Sequence, residues 1–327
     1  MAKPPPKIRS LSGEDVILED SPALGRDLFL IDGNNLAYRA FFALPEGLAT
    51  STGFPTNALL GFANMMLKLV IDYRPRGVAV AWDTRPTVRL EEHAEYKGSR
   101  RAMPDKLSQQ FPHFRPLVDA FGYPSFSVQG WEADDIVATL ATQAEAAGLT
   151  SCVVSTDRDA LQLVSDRTCV MMTPRGVSDV VVYTVDRVVA RYGIKPDQIT
   201  DFVALKGDSS DNLPAVPGIG EKTAAQLVAR YGSLESILEH ATDEPPSRAK
   251  ALREHADQAR LAKRLATTRR DLPLGCDVAA LAAHAPDRSA LAPFFERFEF
   301  KKLVPRIPLL ERSRRGSSEA GDGGRPS

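Results

Sequence analysis

The chain has 327 residues, 43% of them hydrophobic, which suits one large or two smaller globular domains. The net charge of −1 argues against a uniformly basic protein that binds nucleic acid by charge alone. Three widely separated cysteines and the lack of a long apolar stretch argue against a disulfide framework, a zinc site and a membrane span, so we expect a soluble cytoplasmic protein.

Composition changes along the chain predict its domains. Residues 1–25 are polar and rich in proline, and we expect a flexible lead-in. Residues 26–194 alternate buried apolar runs with helical patterns, which predicts an α/β domain with a mostly parallel central sheet flanked by helices. Residues 195–310 are helical in pattern, and 311–327 have the composition of a disordered tail.

Carboxylates fall in five short clusters, each where a predicted strand ends or a predicted helix begins. The nine residues are Asp32, Asp83, Glu132, Asp134, Asp135, Asp157, Asp159, Asp208 and Asp211. If the clusters converge, these groups cannot all stay ionised without cations. Oxygen ligands favour Mg²⁺ or Mn²⁺, and enzymes that hydrolyse phosphodiesters commonly use two such ions. Outside the clusters, basic residues outnumber acidic ones, as a phosphate-binding surface requires.

Three of the clusters also have an ordinary structural explanation. Asp32, before Gly-Asn-Asn, fits a turn residue, and Asp157 fits the N-cap of a helix. The acids that follow Trp131 fit the favourable first turn of a helix. The occurrence of all five clusters at such ends is what favours a metal site.

A polar segment follows Asp83 and covers residues 84–110. It contains Arg89, Lys97 and Arg100 among acidic residues. Such a charge run is usually a solvated face, but its position also suits a lid over the acidic pocket, where the cations would hold a phosphate. Tyr38 offers a stacking face for a base, with core packing as the alternative.

The sequence PGIGEKT forms the second informative motif. Gly218 and Gly220 let backbone amides approach a phosphate, while Lys222 and Thr223 add a charge and a hydroxyl at the start of a helix. This arrangement is typical of a helix–hairpin–helix that grips one DNA strand. The alternative is a plain helical connector, and the spacing of a Walker A loop is absent.

Taken in order, IDGNNLAYRAFFAL, EADDIVATLA, STDRDALQLV and FVALKGDSSDNLPAVPGIGEKTA resemble the 5′→3′ exonuclease / flap endonuclease family, especially the N-terminal nuclease domain of bacterial DNA polymerase I. The resemblance covers residues 28–308. It implies a PIN-like 5′-nuclease fold with a helical arch near 84–110, a two-metal site, and a helix–hairpin–helix that often binds K⁺.

The resemblance also implies roles for individual residues. It places Asp32, Asp83, Glu132 and Asp134 around a first metal ion. Around the second it places Asp134, Asp135, Asp157, Asp159, Asp208 and Asp211. Lys97 and Arg100 match the catalytic cations of the arch, and Arg89 matches the basic residue before it.

The implied activity is structure-specific hydrolysis of DNA near 5′ ends and single-strand/duplex junctions, with two Mg²⁺ ions or Mn²⁺ as a substitute. The implied partners are DNA with 5′ flaps, nicks or gaps, including RNA-primed strands. We expect a nucleoid-associated monomer that works beside a separate DNA polymerase, because no polymerase segment follows in the sequence. The alternatives are a catalytically weak DNA-structure-binding module and a PIN-like RNA-processing nuclease.

Overall fold

A computed structural model describes residues 7–18, 21–175 and 179–310, so the predicted tail over 311–327 and the first six residues of the lead-in lie outside the described residues. The described residues contain eight strands: β1 Lys7–Arg9, β2 Asp15–Ile17, β3 Leu28–Asp32, β4 Gly77–Ala81, β5 Ser125–Phe126, β6 Ser151–Val154, β7 Thr168–Arg175 and β8 Asp179–Tyr183.

The helices of the first two thirds of the chain surround these strands. They are α1 Gly33–Ala43, α2 Asn57–Tyr73, α3 Thr87–Glu92, α4 Asp105–Gln110, α5 Phe114–Ala120, α6 Ala133–Ala146 and α7 Val185–Tyr192. The last third is helical, as predicted, with α8 Ile199–Lys206, α9 Glu221–Tyr231, α10 Leu234–Glu239, α11 Pro246–Glu254, α12 Ala256–Ala266, α13 Val278–Ala283 and α14 Leu291–Arg297. None of the helices in the described residues is long and apolar enough to cross a membrane.

The central sheet has the order β5-β4-β3-β6-β7-β8. All neighbours are parallel except β8, which runs antiparallel at the edge. This confirms the predicted mostly parallel α/β sheet. The carboxyl ends of β4, β3 and β6 therefore meet side by side at one edge.

Both faces of the sheet are buried, and alternate residues of each strand enter different cores. On one face Phe29 and Ile31 of β3 pack with α1, α2, α5 and α14. On the other face Leu28 and Leu30 pack with α6, α8, α9 and α13. The helical last third thus forms part of the cover of the sheet.

The two ends of the described chain differ from the predicted layout. The lead-in is structured over 7–17, because β1 and β2 form a hairpin whose Ile8 packs on Val181 of β8. The residues of α14 and those that follow it, Phe298, Phe300 and Leu303, return to the core that contains Phe29 of β3. By packing, this last stretch belongs to the α/β part, although the predicted limit placed it with the helical domain.

The predicted arch segment over 84–110 contains two short helices, α3 and α4, joined by turns. Its central turn lies against the loop that carries Asp208 and Asp211. The backbone amide of Lys97 donates to the carbonyl of Asp211 at 3.0 Å, and Asn212 Nδ2 donates to the carbonyl of Glu95 at 2.9 Å. The segment therefore contacts the loop that carries Asp208 and Asp211, and its action as a lid stays a prediction.

Candidate functional site

Three carboxylates reach the same edge of the sheet from three adjacent strands. Asp32 is the last residue of β3, Asp83 lies just past β4, and Asp157 lies just past β6. The charges of Asp83 and Asp157 both act on Asp32, which shows that the three side chains lie within electrostatic reach of one another. The structure thus brings these predicted site residues together.

The local turns that hold these carboxylates explain why each also fits a structural role. Asp32 Oδ1 accepts from the amide of Asn35 at 2.9 Å and caps α1. Asp157 Oδ1 accepts from the amide of Asp159 at 2.9 Å and caps a short 3₁₀ turn. Asp83 Oδ1 accepts from the amide of Ala133 at 2.8 Å. Each of the three carboxylates accepts a backbone amide through one oxygen, and its role as a metal ligand stays a prediction.

The first turn of α6 separates its three acids. Asp134 faces the strand ends, where the charges of Asp32 and Asp157 act on it. Glu132 and Asp135 form a capping box, and Asp135 is fully buried. Both oxygens of Asp135 accept from the Arg89 guanidinium, at 2.6 and 2.7 Å, and Oδ1 also accepts from the amide of Arg269 at 2.8 Å. Asp135 has no face open to a metal ion, and we assign it a structural role instead of the predicted ligand role.

Arg89 likewise differs from its predicted catalytic role. Its side chain is buried and donates to Asp135, to Glu132 at 3.1 Å and to the carbonyl of Leu265 at 3.0 Å. Burial lowers the pKa of its guanidinium, but the hydrogen bonds and charge of Asp135 raise that pKa by more, so the group stays charged. Arg89 therefore ties α3 to α6 and to the end of α12, and it does not face a substrate.

The loop after α8 completes the acidic edge. Burial would raise the pKa of Asp208, but its carboxylate accepts from the amide and hydroxyl of Ser210, both at 2.7 Å, and these bonds lower the pKa. Asp211 is buried. The charges of Asp157, Asp208 and Asp211 all act on Asp159, so this predicted ligand also lies in the group.

Loss of hydration and mutual repulsion of carboxylates dominate the electrostatics of this edge. Burial, then the charge of Asp83, raises the pKa of Asp32 to about 8. Loss of hydration, followed by the charges of neighbouring carboxylates, also raises the pKa values of Asp134, Asp157 and Asp159 and, although its side chain is exposed, that of Asp83. Carboxylates that repel one another in this way are stabilised when a cation binds between them.

The chain supplies some of that positive charge itself. Lys97 Nζ donates to Glu132 Oε1 at 2.5 Å and lies 3.5 Å from Asp211 Oδ2. Arg100 Nη2 donates to Asp211 Oδ1 at 2.7 Å. Burial alone would lower the pKa of Lys97, but the charges of Glu132 and Asp211 raise it above its usual value. The two predicted catalytic cations therefore lie inside the acidic site and hold two of its carboxylates.

In the part of the chain that the structure describes, no three Asp, Glu, His or Cys side chains are grouped closely enough to hold a metal ion as they stand. The donor chemistry nevertheless suits a hard divalent cation, since every group is a carboxylate and five of them have raised pKa values. The ion pairs of Lys97 and Arg100 occupy Glu132 and Asp211.

A cavity of about 1050 Å³ opens beside this edge. Asp157, Asp208, Arg100, Arg158 and Lys206 line it, so its wall carries both signs of charge. Tyr38 lies half-buried, packs on the core and is close enough for the charges of Arg100 and Asp83 to act on its hydroxyl. Tyr38 thus combines core packing with a place at the rim of the site.

The glycine turn lies on the surface, between α8 and α9. Gly218 has φ +78°, which favours glycine, and Gly220 caps α9. A side chain added at either glycine would meet nothing within 4 Å, so the backbone is open to a ligand. Lys222 is exposed in the first turn of α9, and Thr223 is half-buried beside it. The turn and α9 lie where the sequence predicts a helix–hairpin–helix, and its role in DNA binding stays a prediction.

Sequence reasoning missed three residues that shape the site. Tyr96 is buried, and its hydroxyl lies 3.1 Å from Glu132 Oε2 and 3.2 Å from Asp211 Oδ2. Asn34 Oδ1 accepts from the amide of Asp83 at 3.0 Å, and Asn35 Oδ1 accepts from that of Thr156 at 2.9 Å. The signal for Tyr96 is an aromatic residue next to Lys97. The signal for the asparagines is a polar pair directly after a buried strand.

Comparison with known proteins gives matches over most of the chain. Residues 27–193 match the profile of the 5′-3′ exonuclease N-terminal resolvase-like domain, and residues 194–289 match that of the 5′-3′ exonuclease C-terminal SAM fold. DNA polymerase I of Bacillus subtilis is 42% identical over 284 residues, which cover 86% of this chain and 32% of that protein. DNA polymerase I of Mycobacterium tuberculosis H37Rv is 43% identical over 282 residues, which cover 86% of this chain and 31% of that protein. The chain thus spans about a third of the length of these relatives.

Solved structures share the fold at lower sequence identity. The T5 5′-exonuclease with bound divalent metal ions (zinc) has a TM-score of 0.59 and 22% identity, covering 84% of this chain and 98% of that one. The bacteriophage T5 flap endonuclease in a complex with DNA and metal ions has a TM-score of 0.60 and 20% identity. The match covers 87% of this chain and 99% of that one. The fold of this chain is therefore that of the 5′-nucleases.

Proposed function

The chain belongs to the 5′-3′ exonuclease family, and on that basis we propose that it is a metal-dependent, structure-specific 5′→3′ exonuclease and flap endonuclease. Its substrate would be DNA, cut near 5′ ends and at junctions between single strand and duplex. The observation that carries the proposal is the convergence of carboxylates from three adjacent strand ends, α6 and the loop after α8 beside one cavity.

We propose that two divalent ions, Mg²⁺ or Mn²⁺, bind this edge. The residues that would hold them are Asp32, Asp83, Glu132, Asp134, Asp157, Asp159, Asp208 and Asp211. When bound, such ions supply an activated water and stabilise the charge that develops on the phosphate. The raised pKa values of Asp32, Asp134 and Asp159 support this assignment, because a bound cation stabilises the charged form of such carboxylates.

The chain's own cations would act on the substrate phosphate. Lys97 is already paired with Glu132, and Arg100 with Asp211. When they leave Glu132 and Asp211, they can donate to the phosphate oxygens and stabilise the transition state. Tyr38, at the rim, would stack on a base near the 5′ end.

The helix–hairpin–helix would hold the duplex at a distance from the cut. The open backbone at Gly218 and Gly220, with Lys222 and Thr223, suits contact with phosphates of one strand, and K⁺ would suit the carbonyls of this turn. The expected partners are DNA with 5′ flaps, nicks or gaps, including RNA-primed strands, and a DNA polymerase. We propose that the protein acts as a monomer at the nucleoid in the cytoplasm.

Cleavage of a 5′-labelled DNA flap with Mg²⁺ and with EDTA tests this function, with Asp134→Ala as the inactive control. The expected result is cutting near the junction with Mg²⁺ only, lost in Asp134→Ala while DNA binding remains. Tight flap binding without cutting in Mg²⁺ or Mn²⁺ would instead identify a DNA-structure-binding module. Preferential cutting of an RNA flap of the same sequence would identify an RNA-processing nuclease.

A further inference from the structure

An ion cluster outside the acidic site joins it to the helix–hairpin–helix. Arg158 lies between Asp157 and Asp159 in sequence and lines the wall of the large cavity. Arg158 Nη1 is 3.7 Å from Glu221 Oε1, and Arg191 Nη2 is also 3.7 Å from that oxygen. Glu221 is the first residue of α9. One carboxylate thus lies between two arginines that come from different elements.

The contacts in this cluster are incomplete. At 3.7 Å neither arginine makes a hydrogen bond to Glu221, and Glu221 Oε1 is buried without a hydrogen-bond donor. Among the described residues neither guanidinium donates a hydrogen bond, and the Arg191 guanidinium lies over the Tyr192 ring, 4.9 Å from its centroid. An ion pair of this kind between partly exposed groups contributes little to stability. The donors of both arginines are therefore unused in the protein alone.

The position of the cluster suits an extended anion. A groove of about 410 Å³ runs along α7 and α9, with Arg191 and Lys222 on its wall and Ser10 and Ser12 of the N-terminal hairpin across it. Arg158 lines the larger cavity, the one beside the acidic site. Its Nη1 lies at most twice 3.7 Å from Arg191 Nη2, because both atoms approach one oxygen. Together the two arginines form a basic strip that leads from the acidic site to the groove.

We propose that Arg158 and Arg191 bind phosphates of a DNA strand that runs from the acidic site along this groove, and that Glu221 holds the two arginines in place until the DNA arrives. The planar fork of arginine matches phosphate oxygens, and a guanidinium whose donors are free loses little when it turns to a phosphate. The N-terminal hairpin that forms the far wall of the groove lies outside the two family matches, so the groove extends beyond the matched domains.

The salt dependence of DNA binding tests the proposal, which rests on DNA being the ligand of the proposed function. Binding of a fluorescent flap duplex is measured over a series of NaCl concentrations, in EDTA and in Ca²⁺. The variants are Arg158→Gln, Arg191→Gln and the pair together. Each lost phosphate contact is expected to reduce the slope of log K against log[salt] by about one unit. Arg158→Lys, which keeps the charge, is expected to retain the slope.

Arg76 is the matched control, because its side chain is 56% exposed against 61% for Arg158 and also contacts one carboxylate, Asp27. Arg76 lies just before the amino end of β4, whereas the acidic site lies at the carboxyl ends of the strands. Arg76→Gln is expected to leave the slope unchanged. Melting temperatures of all variants show whether each is folded.

Glu221→Gln separates a phosphate site from a structural tie. Removing its charge is expected to tighten DNA binding, since phosphate no longer competes with the carboxylate. Weaker binding in Glu221→Gln, or wild-type slopes in both arginine variants, would overturn the inference. If both arginine variants keep the wild-type salt slope and the protein still cuts the flap, the inference fails while the proposed function stands. Shallower slopes without any cleavage would support the strip and count against the proposed catalysis.

Discussion

Lys97 lies between carboxylates that the proposed function assigns to metal binding. Its backbone has φ +55°, which is uncommon for a residue other than glycine. Its backbone amide donates a hydrogen bond to the carbonyl of Asp211. The backbone of the turn therefore holds the ammonium beside Glu132, and charge attraction adds to this. A cation fixed in this position is suited to a phosphate that enters the same space.

We expect Lys97→Met to reduce the rate of flap cleavage about 100-fold while the Kd for DNA changes little, because a single buried donor acts mainly on the developing charge. Single-turnover rates and fluorescence anisotropy would separate the two effects. Lys106→Met is the control, since Lys106 is exposed and its ammonium donates to the carbonyl of Glu46, away from the carboxylates. A loss confined to DNA affinity would contradict the catalytic role.

The raised pKa of Asp32 makes stability depend on pH. The pKa of its carboxyl is about 8 in the folded chain, against 3.8 for an unperturbed aspartate, so the folded state keeps a proton that the unfolded state releases. The free energy of unfolding in EDTA should therefore fall as pH rises from about 4 to about 8. Metal binding should offset that loss.

Asp32→Asn tests this sign. Asparagine keeps an oxygen to accept from the amide of Asn35 but carries no charge. We expect the variant to exceed the wild type in free energy of unfolding by on the order of 1–3 kcal/mol at pH 8 in EDTA, and by less at pH 5. Urea unfolding at the two pH values measures this, with the exposed Asp119→Asn as control. Equal differences at both pH values would contradict the account.

At the scale of elements, α3, α6 and the end of α12 are joined through one buried arginine. The spacing of Glu132 and Asp135 on one helix face is visible in the sequence, and both are predicted there to bind metal. The sequence does not reveal that Arg89, which lies 43 residues before Glu132, satisfies both oxygens of Asp135. Such a partner depends on tertiary packing, so local pattern cannot identify it.

Arg89→Met is expected to lower the free energy of unfolding by about 3–5 kcal/mol, because it leaves the buried Asp135 charge unpaired. The double variant Arg89→Met/Asp135→Leu should recover much of that loss, since it removes both charges. Urea unfolding measures both, and Arg85→Met at an exposed nearby position is the control. A change below about 1 kcal/mol in Arg89→Met would contradict the structural role.

Other elements show where sequence patterns suffice. The runs LFLID, GVAVA and SCVV are apolar because both sheet faces are buried, and all three are strands in the central sheet. Strand β7 contains a similarly apolar run, TCVMM, but its place beside β6 depends on strand pairing that the local pattern does not show. The proline-rich composition of the N-terminal segment predicts a flexible lead-in and gives no sign of the β1–β2 hairpin. The hairpin packs against β8, and this tertiary contact cannot be read from local sequence.

At the scale of the whole molecule, two cores share one sheet. The α/β part and the helical last third meet through the core that contains Leu28 and Leu30, and the residues of α14 return to the opposite face. The acidic edge therefore lies between two parts whose side chains pack into a common core. This explains how Asp208 and Asp211, from the loop after α8, reach carboxylates from the strand ends.

The central claim is that these carboxylates form a divalent metal site, and counting bound Mn²⁺ by electron paramagnetic resonance tests it most directly. Free Mn²⁺ is measured during titration of the wild type and of Asp134→Ala, with the exposed Asp119→Asn as control. We predict saturable binding of about two ions per chain in the wild type and in the control, with at least one ion lost in Asp134→Ala. Absence of saturable binding in the wild type, or equal binding in Asp134→Ala, would contradict the account.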